Sequence, residues 1–87
     1  MAAPKIEMYS TSWCGYCVRA RSLLQRKGAK FVEISIEEQP ERRAEMIARS
    51  GRRTVPQIFI GGQHIGGSDE LDELDQAGGL DPLLAGN

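Results

Sequence analysis

Lys5-Ile6-Glu7-Met8-Tyr9-Ser10-Thr11-Ser12-Trp13-Cys14-Gly15-Tyr16-Cys17 is the stretch that decides how the chain is read. Its first five residues alternate polar and apolar, the two-residue period of a strand. Ser10, Thr11 and Ser12 break the alternation as a loop. Over residues 15–27 the period lengthens. Tyr16, Ala20, Leu23 and Leu24 fall at i, i+4, i+7 and i+8, which predicts a helix with those side chains on one face. Arg26 and Lys27 in the last turn and Gly28 after it are helix-stop signals. The two cysteines of the chain therefore straddle a strand-to-helix junction.

Working outward, residues 30–36 are rich in β-branched side chains, with Val32, Ile34 and Ile36 on one face of a second strand. Strand, helix and strand in that order imply a parallel pair joined by a right-handed crossover. Pro40 and Glu41 suit the first turn of a second helix and Gly51 its end, with Ala44, Ile47 and Ala48 as the expected buried face. Gln57-Ile58-Phe59-Ile60 reads as a third strand, Gly61-Gly62 as a tight turn permissive of positive φ, and Gln63-His64-Ile65 as a short antiparallel fourth strand. Gly66-Gly67-Ser68-Asp69 leads into a third helix with Leu71, Leu74 and Ala77 inward. Gly78-Gly79 ends it, and residues 80–84 form a short terminal turn. The order β-α-β-α-β-β-α predicts an α/β protein, a four-stranded mixed sheet flanked by three helices in the thioredoxin-like layout.

The bulk properties agree with that reading. The chain has 87 residues, 40% hydrophobic and 26% charged, as expected of one globular domain over residues 1–87 with its core at about 5–84. A net charge of −1 is too near zero to predict a nucleic-acid partner, for which a net basic face would be needed. No apolar run approaches the roughly 18 residues of a membrane span. The first residues carry no apolar signal region, so a cytoplasmic location is expected.

The chemistry centres on the cysteines. A disulfide between residues so close in sequence closes a tiny loop and stabilises little, so a structural staple is a poor explanation. At a helix start, Cys14 faces backbone N–H groups without intrahelical partners, and these favour an anion such as a thiolate. Cys17, one turn inside the helix, is expected to be more buried and within reach of Cys14. A zinc site needs four ligands, and His64 is the one good further candidate. A C-x-x-C in a β-α-β setting points instead to redox exchange.

Two further segments join it. Pro56 in Thr54-Val55-Pro56 belongs at a strand start because it cannot donate to the ladder. As a cis proline facing the thiol it would turn the Val55 N–H and C=O outward, toward a peptide-like substrate. In Gly66-Gly67-Ser68-Asp69, Ser68 or Asp69 could be an ordinary helix cap. Alternatively the helix end takes a carboxylate and Asp69 an ammonium, the two charges of the γ-glutamyl end of glutathione. His64 is read as a surface residue. Trp13 either lines a substrate surface or caps the core. Arg42, Arg43, Arg49, Arg52 and Arg53 form a basic cluster, of which one or two could meet a second substrate carboxylate.

On Cys14-Gly15-Tyr16-Cys17, Thr54-Val55-Pro56 and Gly66-Gly67-Ser68-Asp69, taken in order, the chain resembles glutaredoxins, and in particular the small bacterial dithiol type called glutaredoxin 3. The resemblance implies a glutathione-dependent oxidoreductase that reduces protein disulfides and glutathione mixed disulfides, with Cys14 as nucleophile and Cys17 as the resolving thiol. It implies a glutathione groove in which Tyr16 flanks, Thr54 and Val55 pair with the cysteinyl backbone beside cis Pro56, and Gly67, Ser68 and Asp69 hold the γ-glutamyl end. Arg43, and secondarily Arg53, would face the glycine carboxylate. Its expected partners are glutathione and glutathionylated or disulfide-containing proteins, the protein itself being a monomer. Two positions depart from the family pattern. Gly15 stands where proline is common, and Thr11 where a lysine is frequent. Alternatives remain open: a dimer bridging a [2Fe–2S] cluster through Cys14 and bound glutathione, and a thioredoxin- or mycoredoxin-like electron donor.

Overall fold

The computed structural model describes residues 3–86. The elements run β1 (Ile6–Ser10), α1 (Gly15–Arg26), β2 (Val32–Ser35), α2 (Arg42–Ser50), β3 (Gln57–Ile60), β4 (Gln63–Gly66), α3 (Ser68–Gln76) and α4 (Leu80–Leu84). The sheet order is β2-β1-β3-β4. β1 pairs parallel with β2 and antiparallel with β3, and β3 pairs antiparallel with β4. This is the expected layout, with the terminal turn formed as a short fourth helix. Gly61 and Gly62 have φ of 60° and 82°, the left-handed pair that a two-residue hairpin turn demands.

β1 sits inside the sheet, so both of its faces are covered. Ile6 and Met8 pack with Ala20, Leu23 and Leu24 of α1, Ile58 and Ile60 of β3, Leu71 of α3 and Leu80 of α4. Tyr9 points the other way, into a second cluster with Ile34, Met46 and Phe59. Met8, Leu24, Ile58 and Leu71 are wholly buried, each worth roughly 1.5–3 kcal/mol relative to exposure.

Three faces differ from expectation. Tyr16 is 56% exposed, and Cys17 takes its place beside Ala20 and Leu24 on the buried stripe of α1. The i, i+3, i+7 stripe from Cys17 is the one aimed at the sheet, and Tyr16 lies about 100° round the helix from it. In α2, Ala44 and Ala48 are exposed, while Met46 is buried and Ile47 packs beside it. The helix is rotated because its charged residues serve the sheet. The Tyr9 hydroxyl donates to Glu45, which also holds Arg42. Arg49 donates to the Tyr9 hydroxyl at 2.9 Å, pairs with Glu7, and lays its guanidinium 4.0 Å from the centre of the Phe59 ring. Long basic side chains can cover aromatic surface in this way, which an apolar count overlooks. Ala77 is exposed as the C-cap of α3, leaving Leu71 and Leu74 as its inward residues.

Val32 is also exposed, at the start of the edge strand. His64 is half-buried rather than a free surface residue, its ring 5.0 Å from that of Phe59.

Candidate active site

Cys14 is the N-cap of α1, with extended backbone angles of φ −87° and ψ 118°. Its carbonyl accepts the Val18 N–H at 3.1 Å, the first hydrogen bond of the helix. The first turn carries no acidic residue and no side chain caps it, so nothing competes with a sulfur anion for the free N–H groups. The half-exposed Cys14 Sγ donates to the Val55 carbonyl at 3.6 Å. The Val55–Pro56 peptide is cis, as anticipated. Trp13, 75% exposed, flanks the thiol and does not cap the core.

Cys17 is fully buried, and both cysteines are free thiols. Burial pushes the Cys17 thiol up to about 12, with a hydrogen bond to Cys14 adding to the effect and a Thr11 N–H opposing it. The two sulfurs are thus neighbours with unlike surroundings, one at a helix end near solvent and one held protonated in the core. A sign follows for stability. The unfolded thiol ionises near 8.5 and the folded one near 12, so the proton is bound more tightly in the folded state. The stability this contributes is fully present below about 8.5 and is lost as pH rises toward 12. In denaturant titrations under reducing conditions, the stability difference between wild type and Cys17→Ala should drift against wild type across that window. A constant difference from pH 7 to about 10.5 would contradict it.

Beside the thiol lies a cavity of about 350 Å3, lined by Tyr16 from α1, the segment from Thr54 to Gln57, Arg52, and Gly67 to Glu70 at the start of α3. Tyr16, Thr54, Val55, Pro56, Gly67, Ser68 and Asp69 therefore come together from three separate stretches of chain. Gly67 closes the cavity against the proline segment: a Cβ there would meet the Pro56 carbonyl at 3.3 Å. Arg43 is not among the lining residues, and its Nη2 donates to the Arg53 carbonyl at 3.4 Å. A second cavity of about 270 Å3 between α1 and α3 touches Ser68 but neither cysteine.

The start of α3 departs from the simple cap expected of Ser68 or Asp69. Gly67 is the N-cap, and no side chain caps from that position. Glu70 reaches back instead, its Oε1 accepting the Gly67 N–H at 3.0 Å while pairing with Arg52. The Asp69 carboxylate is exposed and has no part in capping.

Sequence reading missed Gln57, which is 1% exposed. Its amide Nε2 donates to the Thr54 carbonyl at 3.0 Å and to Thr54 Oγ1 at 3.3 Å. With the nitrogen so engaged, Oε1 faces His64 Nε2 at 2.7 Å, and that nitrogen must carry the proton. Burial lowers the His64 pKa, consistent with a neutral ring. Gln57 thereby ties the proline segment to β4. A glutamine opening an otherwise apolar strand was the available signal.

Among the described residues no helix is long and apolar enough to cross a membrane. The family model described as Glutaredoxin matches residues 6–65. The chain is 57% identical over 79 residues to glutaredoxin 3 of Escherichia coli K12, covering 91% of this chain and 95% of that one. It is 52% identical over 82 residues to a glutaredoxin of Pseudomonas aeruginosa, covering 94% and 98%. The solution structure of glutaredoxin from Brucella melitensis superposes with a TM-score of 0.84 at 51% identity, over 97% of this chain and 91% of that one. The crystal structure of a buckwheat glutaredoxin–glutathione complex does so with a TM-score of 0.87 at 35% identity, over 94% and 77%.

Proposed function

Because the chain belongs to the glutaredoxin family, and is a thiol–disulfide oxidoreductase on that ground, we propose that it works with glutathione through the Cys14–Cys17 dithiol. The observation that carries this reading is the cavity itself: it joins the Val55 backbone beside the Cys14 sulfur to a helix start with an uncommitted Asp69 carboxylate. A solved neighbour at 35% identity is described as a glutathione complex, which supports the choice of ligand.

In the proposed cycle, Cys14 thiolate attacks the glutathione sulfur of a glutathionylated protein. The new bond joins Cys14 Sγ to that sulfur, and the protein thiolate leaves with the electron pair and takes a proton. A second glutathione thiolate attacks the glutathione sulfur of this adduct, releasing Cys14 and oxidised glutathione. Alternatively Cys17 attacks Cys14 Sγ, forming the Cys14–Cys17 disulfide and releasing glutathione. Thr54 and Val55 hold the cysteinyl backbone beside Pro56, with Tyr16 along one flank. The Ser68 N–H at the start of α3 meets the γ-glutamyl carboxylate, Gly67 lines the approach, and Asp69 meets the ammonium. Arg43 reaches the glycine carboxylate by leaving the Arg53 carbonyl.

Steady-state turnover of a small glutathione mixed disulfide, with glutathione as reductant, tests the reading. We expect saturable turnover and a glutathione adduct on Cys14 in the mass spectrum. Turnover with a flavoenzyme reductant but none with glutathione would make the protein a thioredoxin-like donor. A brown colour on anaerobic purification would mark the cluster-bridging dimer.

A further inference from the structure

Gln57 opens β3 directly after Pro56, is 1% exposed, and belongs to the wall of the cavity beside Cys14. Its Nε2 donates to the Thr54 carbonyl at 3.0 Å and to Thr54 Oγ1 at 3.3 Å. A carbonyl can only accept, so the atom facing it must be the amide nitrogen. On the other side His64 Nε2 donates to Oε1 at 2.7 Å, and the His64 ring lies 5.0 Å from that of Phe59. The amide cannot turn over without breaking both sets of bonds, which would leave a buried polar group unpaired.

The backbone supplies the second observation. The Thr54–Val55 peptide is trans. In a planar trans unit the C=O and the N–H point in opposite directions. A Thr54 carbonyl drawn inward to buried Gln57 therefore turns the Val55 N–H away from the core, and among the described residues that N–H has no partner in the protein. Thr54 is exposed and Val55 half-buried, both on the cavity wall, and the Val55 carbonyl lies 3.6 Å from Cys14 Sγ. From these placements we propose that Gln57 is a positioning residue. By holding the Thr54 carbonyl inward it presents the Val55 N–H to the cavity, and so makes Cys14 favour disulfides that carry a peptide backbone.

The gain is preorganisation. Residues 51–56 lie between α2 and β3 with no regular secondary structure, so no ladder holds their backbone. Without Gln57 the peptide unit between Thr54 and Val55 can rotate through compensating changes in Thr54 ψ and Val55 φ, its soft dihedrals. An incoming backbone would then have to order that unit on binding, which weakens association. His64 acts through Gln57, by keeping Oε1 engaged so that Nε2 stays on Thr54. A disulfide with no amide has nothing to pair with the Val55 N–H and is indifferent to its direction.

The inference rests on the glutathione reading above, and one experiment separates the two. Reduced protein is mixed with excess oxidised glutathione or with hydroxyethyl disulfide, which has no peptide group. Loss of the free Cys14 thiol is timed by quenching and mass spectrometry. In each case Cys14 thiolate attacks one sulfur of the disulfide, and the other sulfur leaves with the electron pair as a thiolate. Each rate is divided by that of dithiothreitol with the same disulfide, which removes the difference in intrinsic reactivity. A wild type with no preference for oxidised glutathione overturns the glutathione reading. Given that preference, Gln57→Leu should react roughly 3- to 10-fold more slowly with oxidised glutathione, the scale of one hydrogen bond, and at the wild-type rate with hydroxyethyl disulfide. Gln57→Leu orphans the His64 N–H, and Gln57→Glu takes its place if that variant does not fold. Gln57→Glu keeps the shape and the acceptor for His64, but its carboxylate has no hydrogen to offer the Thr54 carbonyl. The same loss of preference is expected of it. Slowing by one factor with both disulfides, or an undiminished preference for oxidised glutathione in a folded variant, would overturn the proposal.

Discussion

Cys14→Ser should have no measurable turnover on any disulfide substrate. A serine hydroxyl does not ionise near neutral pH and does not attack sulfur. The other thiol cannot substitute, because Cys17 is fully buried and that burial pushes its pKa above that of a free thiol. Cys17→Ser is expected to behave differently. Reduction of a glutathione mixed disulfide by glutathione uses one protein thiol, so it should persist. Reduction of protein disulfides through the dithiol route should be lost. Both variants are to be assayed on both substrates at a single pH. Residual turnover in Cys14→Ser, or equal loss of both activities in Cys17→Ser, would overturn the division of labour between the cysteines.

Asp69→Asn should raise the Michaelis constant for a glutathione mixed disulfide by roughly 10- to 150-fold. The figure takes about 1.5–3 kcal/mol for a hydrogen bond between charged groups and about 1.4 kcal/mol per factor of ten. The structure sharpens the test. Asp69 is not the cap of α3, since Gly67 holds that position and Glu70 answers its N–H. Removing the charge therefore leaves the cap intact, and stability should fall by no more than the roughly 0.3–1 kcal/mol of a carboxylate in the first turn of a helix. The maximal rate should also change little, because Cys14 sits on a different helix. An unchanged Michaelis constant in the folded variant would detach Asp69 from substrate binding, and the electron-donor alternative would gain.

Much of the architecture was legible because local periodicity carries it. The alternation of residues 5–9, the helical spacing of Ala20, Leu23 and Leu24, and the glycine pair at 61–62 each specify an element through short-range sterics. The misplaced faces have a common cause. Apolarity and spacing alone point Tyr16, Ala44 and Ala48 to the core, but the rotation of a helix about its axis is set by what it packs against. In α2 that partner includes Tyr9 and Phe59, which draw Glu45 and Arg49 inward.

The order of the elements, the position of Cys14 at a helix start and most of the residues brought around it are legible in the chain alone; Arg52, Gln57 and Glu70 are not, and Arg43 lies outside the lining. The legible features follow from motifs whose meaning is local: a cysteine pair one turn apart, a proline before a strand, glycines before a helix. Which polar groups are satisfied and which are free emerges from the packing of the elements against one another. Gln57 ties the Thr54 backbone to His64, Glu70 rather than Ser68 or Asp69 meets the N–H at the N-cap of α3, and Thr11 keeps a buried hydroxyl with no partner among the described residues. The reason is physical. A hydrogen bond between residues distant in the chain depends on ångström-scale distances that β1, β3 and α3 fix jointly, and no spacing within a single segment encodes them.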